Sequence, residues 1–172
     1  MGTPVRTTRA RANAAAGSDR ANAAMAQSAA AANAAACTCG RLRRLTRRVT
    51  QIYDQHLEPA GLTIAQFGIL GQLMARGGIS VGHLADVLVM DPTTLSRNLR
   101  PLVRDGRVQL ARDPADQRRQ MISLSGPGKS ALRAAVPLWS KAQAQVASLV
   151  GDTDVVRLHQ LIDSSLERLG PT

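Results

Sequence analysis

Most apolar residues of this chain recur every three or four positions, the spacing that gives a helix one buried face. The first series predicts a helix over about residues 40–58, with a seam formed by Leu42, Leu45, Val49, Ile52 and His56. Pro59 and Gly61 are expected to end this helix. A second helix is predicted after Thr63, which has Gln66 three residues later as a capping box. Its predicted core face is Phe67, Leu70, Leu73 and Met74.

Two shorter helical patterns follow between Ile79 and Asp105, close enough together to form a helix-turn-helix. Ser80 is a suitable N-cap for the first helix, and Asp91 followed by Pro92 is a suitable start for the second. The predicted buried stripe of the second helix is Leu95, Leu99, Leu102 and Val103. Its other faces carry hydroxyl and guanidinium groups, from Thr93, Thr94, Ser96, Arg97 and Arg100.

The pattern then changes to alternation, which predicts two paired strands with one buried face. The strands are expected at residues 108–110 and 120–124, and the charged loop between them, residues 111–119, is too long for a tight hairpin. Ser125 is predicted to begin a helix that reaches about Val150 and is interrupted by Pro137. After a break at Gly151, a last amphipathic helix has the seam Val155, Leu158, Ile162, Leu166 and Leu169.

These elements predict a mainly α fold with a small two-stranded β-wing, a winged helix-turn-helix over about residues 62–128. The flanking helices, over about residues 40–58 and 129–169, have apolar seams and no sheet to cover them. We expect these helices to dimerise the chain, and packing within a monomer is the alternative. Residues 1–36 have a low-complexity composition and are expected to be a disordered tail, and the start of translation, Met1 or Met25, stays open.

The predicted second helix of the helix-turn-helix has the chemistry of a recognition helix for duplex DNA. Short hydroxyl side chains and arginines at its N-terminal end can contact base edges in the major groove. The wing loop can place an arginine in the neighbouring minor groove, where the negative potential is concentrated. Arg118 is the first candidate for that role, with Arg119 beside it and Asp116 two residues earlier to orient it.

The charge of the chain favours a polyanionic partner. The 172 residues carry a formal net charge of +10, and 20 of the 22 basic residues are arginine, although arginine in place of lysine is also typical of GC-rich genomes. Binding to nucleic acid without sequence preference is the alternative function. It is disfavoured because the chain lacks the interleaved aromatic residues of single-strand binding surfaces.

Three blocks of sequence resemble the MarR family of bacterial transcriptional regulators, and the resemblance extends from about Leu42 to Leu169, within a domain set at residues 37–172. The blocks are LTIAQFGILGQL, ISVGHLADVLVMDPTTLSRNLRPLVRDGRV and DPADQRRQMISLSGPGK. The resemblance implies a homodimer that binds a partly palindromic operator, with repression the expected outcome, and a ligand or redox event that alters operator affinity. It also implies that Asp116 and Arg118 correspond to the Asp-x-Arg pair of the family's wing.

Cys37 and Cys39 are the only cysteines, and arginines follow them at the start of a predicted helix. Such surroundings favour the thiolate, which reacts with peroxide and binds soft metals or arsenite. The chain here resembles the organic-peroxide-sensing members of the family, which carry a reactive cysteine where Cys39 falls and a tyrosine where Tyr53 falls. Two further tyrosines of those sensors are Ile64 and Arg43 here. Unreactive cysteines remain the alternative.

The second hypothesis for sensing is a small organic ligand, an aromatic acid or phenol, bound beneath the DNA-binding part. Its candidate contacts are Arg47, His56, Phe67 and Met74. Each of these residues could equally have an ordinary structural role. The whole chain has three aromatic residues, which provide little material for a pocket that stacks on an aromatic ligand.

Several classes of function are not supported by the sequence. No phosphate-binding loop, HExxH run or GxSxG elbow is present, so we expect no enzyme and no catalytic residue. The two cysteines lack a second pair at zinc-finger spacing, so no metal site or other cofactor is expected apart from the soft metal or arsenite named above. No apolar run is long enough to cross a bilayer, and the expected location is the bacterial cytoplasm, at the nucleoid.

Overall fold

The computed structural model describes residues 36–170 together with residues 25, 27 and 28, and six α-helices and three short strands lie between Thr38 and Leu169. Nearly all of the predicted tail, residues 1–36, lies outside the described residues. The chain divides into two units, Met1–Arg48 and Val49–Thr172. The helices are α1 (Thr38–Leu57), α2 (Ile64–Arg76), α3 (Val81–Leu88), α4 (Pro92–Arg104), α5 (Gly126–Val150) and α6 (Asp152–Leu169). The strands are β1 (Ile79–Ser80), β2 (Val108–Arg112) and β3 (Gln120–Leu124).

The predicted starts of α2, α3, α4 and α5 are confirmed, and each has a local hydrogen bond between a capping side chain and the backbone. Thr63 accepts the amide hydrogen of Gln66, and the Gln66 side chain accepts that of Thr63, so the capping box of α2 is complete. Ser80 caps α3 by accepting the amide hydrogen of His83, and Ser125 caps α5 by accepting that of Gly128. The Asp54 carboxylate adds a bond to the amide of Ile64, 2.7 Å away, which joins the end of α1 to the start of α2.

A core of aliphatic side chains holds the helix-turn-helix to the rest of the Val49–Thr172 unit. Burying each of these side chains contributes about 1.5–3 kcal/mol to folding. The ring of Phe67 packs against this core and stacks on Trp139 of α5, with the ring centroids 5.9 Å apart. The largest fully buried members are Leu57, Ile69, Leu70, Leu73, Leu84, Leu95, Leu102 and Ile122.

The wing is larger than predicted. Strand β2 extends to Arg112, so the loop between the strands is residues 113–119, two residues shorter than expected. A third strand, β1, pairs with β3 through Ile79 and Ile122, and the order in the antiparallel sheet is β1-β3-β2. Both side chains of that pair are buried, which explains why a two-residue strand that no alternation reveals joins the sheet.

Two residues assigned to the core by spacing are exposed instead. Val103 is 37% exposed, and Met74 is 43% exposed. Each follows directly after a buried leucine, Leu102 or Leu73, and successive helical residues point about 100° apart. Ile69 takes the core position on α2 that was predicted for Met74.

Pro137 does not interrupt α5, contrary to the prediction. The helix runs unbroken from Gly126 to Val150 with Pro137 inside it. Pro137 lies on the exposed side, so the carbonyl that loses its amide partner can be hydrated. Buried residues on both sides of it, Leu132 and Ala142, pack the two halves of the helix against the core. Among the described residues, no helix combines the length and the apolar character that crossing a membrane requires.

Candidate nucleic-acid interface

Helix α4 begins at a well-formed cap. The Asp91 carboxylate accepts the amide hydrogen of Thr94 at 2.9 Å and the Thr94 hydroxyl hydrogen at 2.6 Å. These bonds, first the one from the Thr94 hydroxyl, hold the pKa of Asp91 below its ordinary value. Pro92 occupies the first turn, where no amide hydrogen is needed. The N-terminal end of α4 is thereby fixed by its own residues.

The outward face of α4 gathers four of the five predicted recognition residues. Thr93, Ser96, Arg97 and Arg100 are exposed and line one shallow depression together with Pro92. The opposite face is buried through Leu95, Leu99 and Leu102. Hydroxyl and guanidinium groups are therefore presented on one side of a helix whose other side is anchored in the core.

Thr94, the fifth predicted recognition residue, has a different environment. The Thr94 hydroxyl donates a hydrogen bond to the Asp91 carboxylate, and the Thr94 carbonyl accepts one from the Asn98 side-chain amide at 2.9 Å. Thr94 does not line the depression formed by the other four residues. Its side chain is thus engaged in the cap of α4.

The wing tip is organised by two aspartates through the backbone. Asp116 accepts the amide hydrogen of Arg118 on its carboxylate at 3.0 Å and that of Arg119 on its carbonyl at 2.9 Å. The amide of Asp113 donates to the carbonyl of Arg119 at 3.0 Å, which closes the loop. Asp116 is therefore placed to orient the Arg118 backbone, and it forms no ion pair with the Arg118 guanidinium.

A second depression lies between the wing and the start of α3. Arg118 and Arg119 line it from the wing, and the side chains from α3 include His83 and Asp86. Helix α3 begins here at Ser80, so its first amide groups, which have no partner within the helix, lie at the same end. Backbone amides and guanidinium groups together are suited to phosphate oxygens.

The arginines of this surface are free to bind an external anion. In residues 36–170 the ion pairs are Arg104 with Asp105 and Arg157 with Asp154. Arg97, Arg100, Arg118 and Arg119 have neither an ion pair nor a hydrogen bond from the guanidinium group to another described residue. The face formed by α4 and the wing therefore carries four guanidinium groups that have no ion pair with a described residue.

The predicted thiol-sensor residues do not share one environment. Cys37 and Cys39 are exposed and are not joined by a disulfide. Tyr53 is buried, its hydroxyl donates a hydrogen bond to the side-chain oxygen of Gln143 on α5, and burial raises its pKa. Within the described residues, no three His, Cys, Asp or Glu side chains form a group that could hold a metal ion.

The four predicted ligand-pocket residues are spread over different surroundings. His56 Nε2 lies 2.7 Å from the side-chain oxygen of Gln145, and Phe67 is stacked on Trp139. Arg47 lines a shallow groove along α1 with Cys39 and Leu42, and Met74 is exposed. His56 and Phe67 both contact α5, so two of the four are involved in packing between helices.

One contact near the interface was not foreseen. The Arg107 guanidinium donates a hydrogen bond from Nη1 to the carbonyl oxygen of Gly61, 2.8 Å away. The two residues are 46 positions apart, and no local pattern connects them. The helical spacing of α4 gives no signal for it either, because Arg107 lies beyond the end of that helix.

The sequence and the fold are both similar to known regulators. The model of the MarR family matches residues 60–119. The chain is 28% identical over 118 residues to the transcriptional activatory protein BadR of Rhodopseudomonas palustris, which is 67% of this chain and 66% of BadR. It is 31% identical over 96 residues to the HTH-type transcriptional repressor NicR of Pseudomonas putida, which is 56% of this chain and 61% of NicR. The matched part thus spans slightly less than two thirds of each of these two relatives.

A solved structure extends the similarity over most of the described residues. The M. tuberculosis transcriptional regulator MosR, crystallised in complex with DNA, is 36% identical to this chain. The match covers 75% of this chain and 98% of that one, with a TM-score of 0.61. The mainly helical fold with a small winged sheet is therefore shared with a solved regulator.

Proposed function

This chain belongs to the MarR family, and we propose that it is a sequence-specific DNA-binding transcriptional regulator that represses by binding a partly palindromic operator. The observation that carries the proposal is the outward face of α4, where Thr93, Ser96, Arg97 and Arg100 lie together with no competing ion pair. The wing supplies Arg118 and Arg119 beside it. The family consists of DNA-binding regulators, in agreement with the prediction that the chain is not an enzyme. Acting on an operator, it would work at the bacterial nucleoid.

The roles of these side chains follow from their chemistry. Arg97 and Arg100 are suited to base edges in the major groove, since a guanidinium can donate two parallel hydrogen bonds to guanine. Thr93 and Ser96 offer single hydroxyl groups to neighbouring bases. Arg118 enters the adjacent minor groove, and the α3 end of the second depression receives a backbone phosphate.

A homodimer completes the proposal. The end of α6 exposes apolar side chains, with Leu166 57% and Leu169 82% exposed. Leu161 and Ile162 of the same helix are exposed as well. A second copy would bury these residues and would place two recognition helices about 34 Å apart, the spacing of successive major grooves on one face of DNA.

Operator selection tests the DNA-binding proposal. Duplexes that the purified protein enriches from a random pool would be compared with unselected DNA at one salt concentration. Arg97→Ala and Arg118→Ala are expected to lower the preference for the enriched duplex, while Arg133→Ala, on the exposed side of α5, leaves it unchanged. A uniform loss of affinity for both kinds of DNA would instead support sequence-indifferent binding. No enrichment by the wild type would refute the proposal.

The signal that controls operator affinity is proposed to act on the thiols. Cys37 and Cys39 are accessible to peroxide, to a soft metal or to arsenite, and their exposure supports this choice over an organic ligand. Peroxide or arsenite is expected to release the reduced wild type from its operator and not the Cys37→Ala/Cys39→Ala variant. Equal release of both proteins, or release of neither, would refute the thiol mechanism. A ligand at Arg47, His56, Phe67 and Met74 would then be tested with aromatic acids.

A further inference from the structure

Arg107 is attached to two parts of the fold at the point where the recognition helix ends. Helix α4 ends at Arg104, and the amide of Arg107 donates back to the carbonyl of Leu102 at 2.8 Å. The Arg107 carbonyl accepts the amide hydrogen of Ser125, at the start of α5, at 3.2 Å. The backbone of this residue thus joins the C-terminal end of α4 to the first turn of α5.

The side chain of Arg107 makes the third attachment. Its Nη1 donates to the carbonyl of Gly61 at 2.8 Å, and its Nη2 would lie 3.2 Å from a Cβ placed on Gly61. Gly61 has a φ of +61°, so it accommodates both the left-handed turn and the guanidinium because it has no side chain. This residue follows the 3₁₀ turn Glu58–Ala60, which leads from the buried end of α1 to α2.

The Arg107 side chain adds a distant attachment to the local hydrogen bonds that the turn at residues 105–106 already makes. Gly106 has a φ of +65°, its amide donates to the carbonyl of Val103 at 3.0 Å, and its carbonyl accepts the Ser125 hydroxyl hydrogen at 2.6 Å. Asp105 is exposed and paired with its neighbour Arg104. The donor of this attachment, the Arg107 guanidinium, is charged. Hydrogen bonds from a charged donor are shorter and stronger than those from a neutral donor, so this bond restricts the end of α4 more than a neutral one would. Among the described residues, Gly61 is the hydrogen-bond acceptor for the Arg107 guanidinium.

We infer that Arg107 is a positioning residue for DNA recognition, which fixes the direction of α4 by binding its C-terminal end to the Gly61 turn. This inference rests on the proposed function. The bases are contacted from the N-terminal end of α4, so a small rotation at its C-terminal end moves Thr93 and Arg97 relative to the groove. Arg107 acts through α4 and does not itself contact DNA.

The test compares Arg107→Met with the wild type on the selected operator and on random duplex, each at several salt concentrations. Methionine keeps an unbranched stem and removes the donor. We expect the ratio of operator affinity to random-DNA affinity to fall about tenfold, the size of one misread base pair. The slope of log affinity against log salt is expected to stay unchanged, because no phosphate contact is lost. Arg133→Met removes the same charge from α5, where the Arg133 guanidinium donates a hydrogen bond to the Ser130 hydroxyl, and is expected to leave the ratio unchanged.

Two other results would overturn the inference. An unchanged ratio with a lowered melting temperature would mean that Arg107 only stabilises the fold, since a smaller folded fraction weakens both kinds of binding equally. A slope reduced by about 0.9 would mean that Arg107 binds a phosphate directly. If Arg107→Met does not fold, Arg107→Lys, one bond shorter but equally charged, is expected to lower the ratio with the slope unchanged. Failure of the wild type to select any operator would refute the proposed function and is a separate outcome.

Discussion

Gly128 lies so close to the carbonyl oxygen of Arg107 that a Cβ atom placed on it would be 1.9 Å from that oxygen. The same atom would be 2.8 Å from Cδ1 of Leu124. The approach is held from both sides, because the Ser125 hydroxyl donates to the carbonyl of Gly106 at 2.6 Å and accepts the amide hydrogen of Gly128 at 3.0 Å. The first turn of α5 is therefore packed directly on the backbone that follows the recognition helix.

Gly128→Ala is expected to lower the free energy of unfolding by about 3 kcal/mol, at the upper end of the usual cost of overpacking. The methyl group must displace backbone, which cannot move away as the end of a flexible side chain can. Chemical denaturation at fixed protein concentration measures the effect.

Gly68→Ala and Gly71→Ala are the matched controls for Gly128→Ala. Both glycines lie inside α2, and a Cβ on either would meet nothing within 4 Å. Alanine there is expected to raise stability by about 0.5–1 kcal/mol through its better helix propensity. Equal effects at positions 68 and 128 would contradict the close approach.

Val89 occupies a backbone conformation that a β-branched residue rarely adopts. Its φ is +50°, and the amide of Met90 closes the end of α3 by donating to the carbonyl of Ala85 at 2.9 Å. Glycine is the usual residue at this position of a helix end, and a left-handed non-glycine residue costs about 1–2 kcal/mol.

Val89→Gly is therefore expected to stabilise the protein, by about 0.5–1 kcal/mol after the larger backbone entropy of glycine is subtracted. The side chain of Val89 is 77% exposed, so little burial is lost. Val136→Gly, at an exposed position inside α5, should destabilise the protein in the same thermal unfolding experiment. A melting temperature that falls for Val89→Gly would show that the valine makes a contact that offsets the strain.

Local signals explain which parts of this fold could be predicted from the sequence. Thr63, Ser80, Asp91 and Ser125 each cap a helix through a bond to a residue three positions later, so their roles are visible in a short window. The residues exposed on α4 could be predicted because the helical periodicity that buries Leu95 places them on the opposite face.

The features that could not be predicted depend on contacts between distant residues or on the exact geometry within one helix. The bond from Arg107 to Gly61 and the close approach of Gly128 to Arg107 both join residues that are far apart in the chain. No local sequence pattern pairs them. Thr94 looked equivalent to Thr93 until the geometry of the cap assigned its hydroxyl to Asp91. Pro137 was overestimated as a helix breaker because the packing on both sides of it could not be seen.

Thr93 and Thr94 are expected to differ when each is replaced by valine. Thr94→Val removes the hydroxyl that Asp91 accepts at 2.6 Å, so the melting temperature should fall. The Thr93 hydroxyl forms no hydrogen bond with a described residue and lies in the depression on α4. Thr93→Val should leave the melting temperature unchanged and weaken operator binding about five- to tenfold, the effect of one lost hydrogen bond. Thermal unfolding and operator titration of both variants check this, and the opposite assignment of the two effects would contradict it.

The stability that Asp91 contributes by capping the recognition helix is expected to depend on pH. Its folded-state pKa is lowered from the ordinary 3.8, chiefly by the hydrogen bond from the Thr94 hydroxyl. The ionised cap therefore contributes stability above pH 3.8, and that contribution is lost as the pH falls through the lowered folded-state pKa. The difference in melting temperature between wild type and Asp91→Ala is expected to be constant near neutral pH and to shrink in acid. A difference that grows in acid would contradict the lowered pKa.

Leu166→Glu is expected to separate the proposed dimer. The side chain is 57% exposed, so a charge there costs little in the isolated protomer, but a dimer interface would have to bury it. The mass measured by sedimentation equilibrium should fall to that of one chain, and operator affinity should fall with it, because one recognition helix contacts only half of a palindrome. Gln160→Glu is the control, since it adds the same charge at an exposed polar position of α6 and is expected to leave the mass unchanged. A Leu166→Glu protein that stays dimeric and binds its operator normally would mean that the dimer forms through another surface.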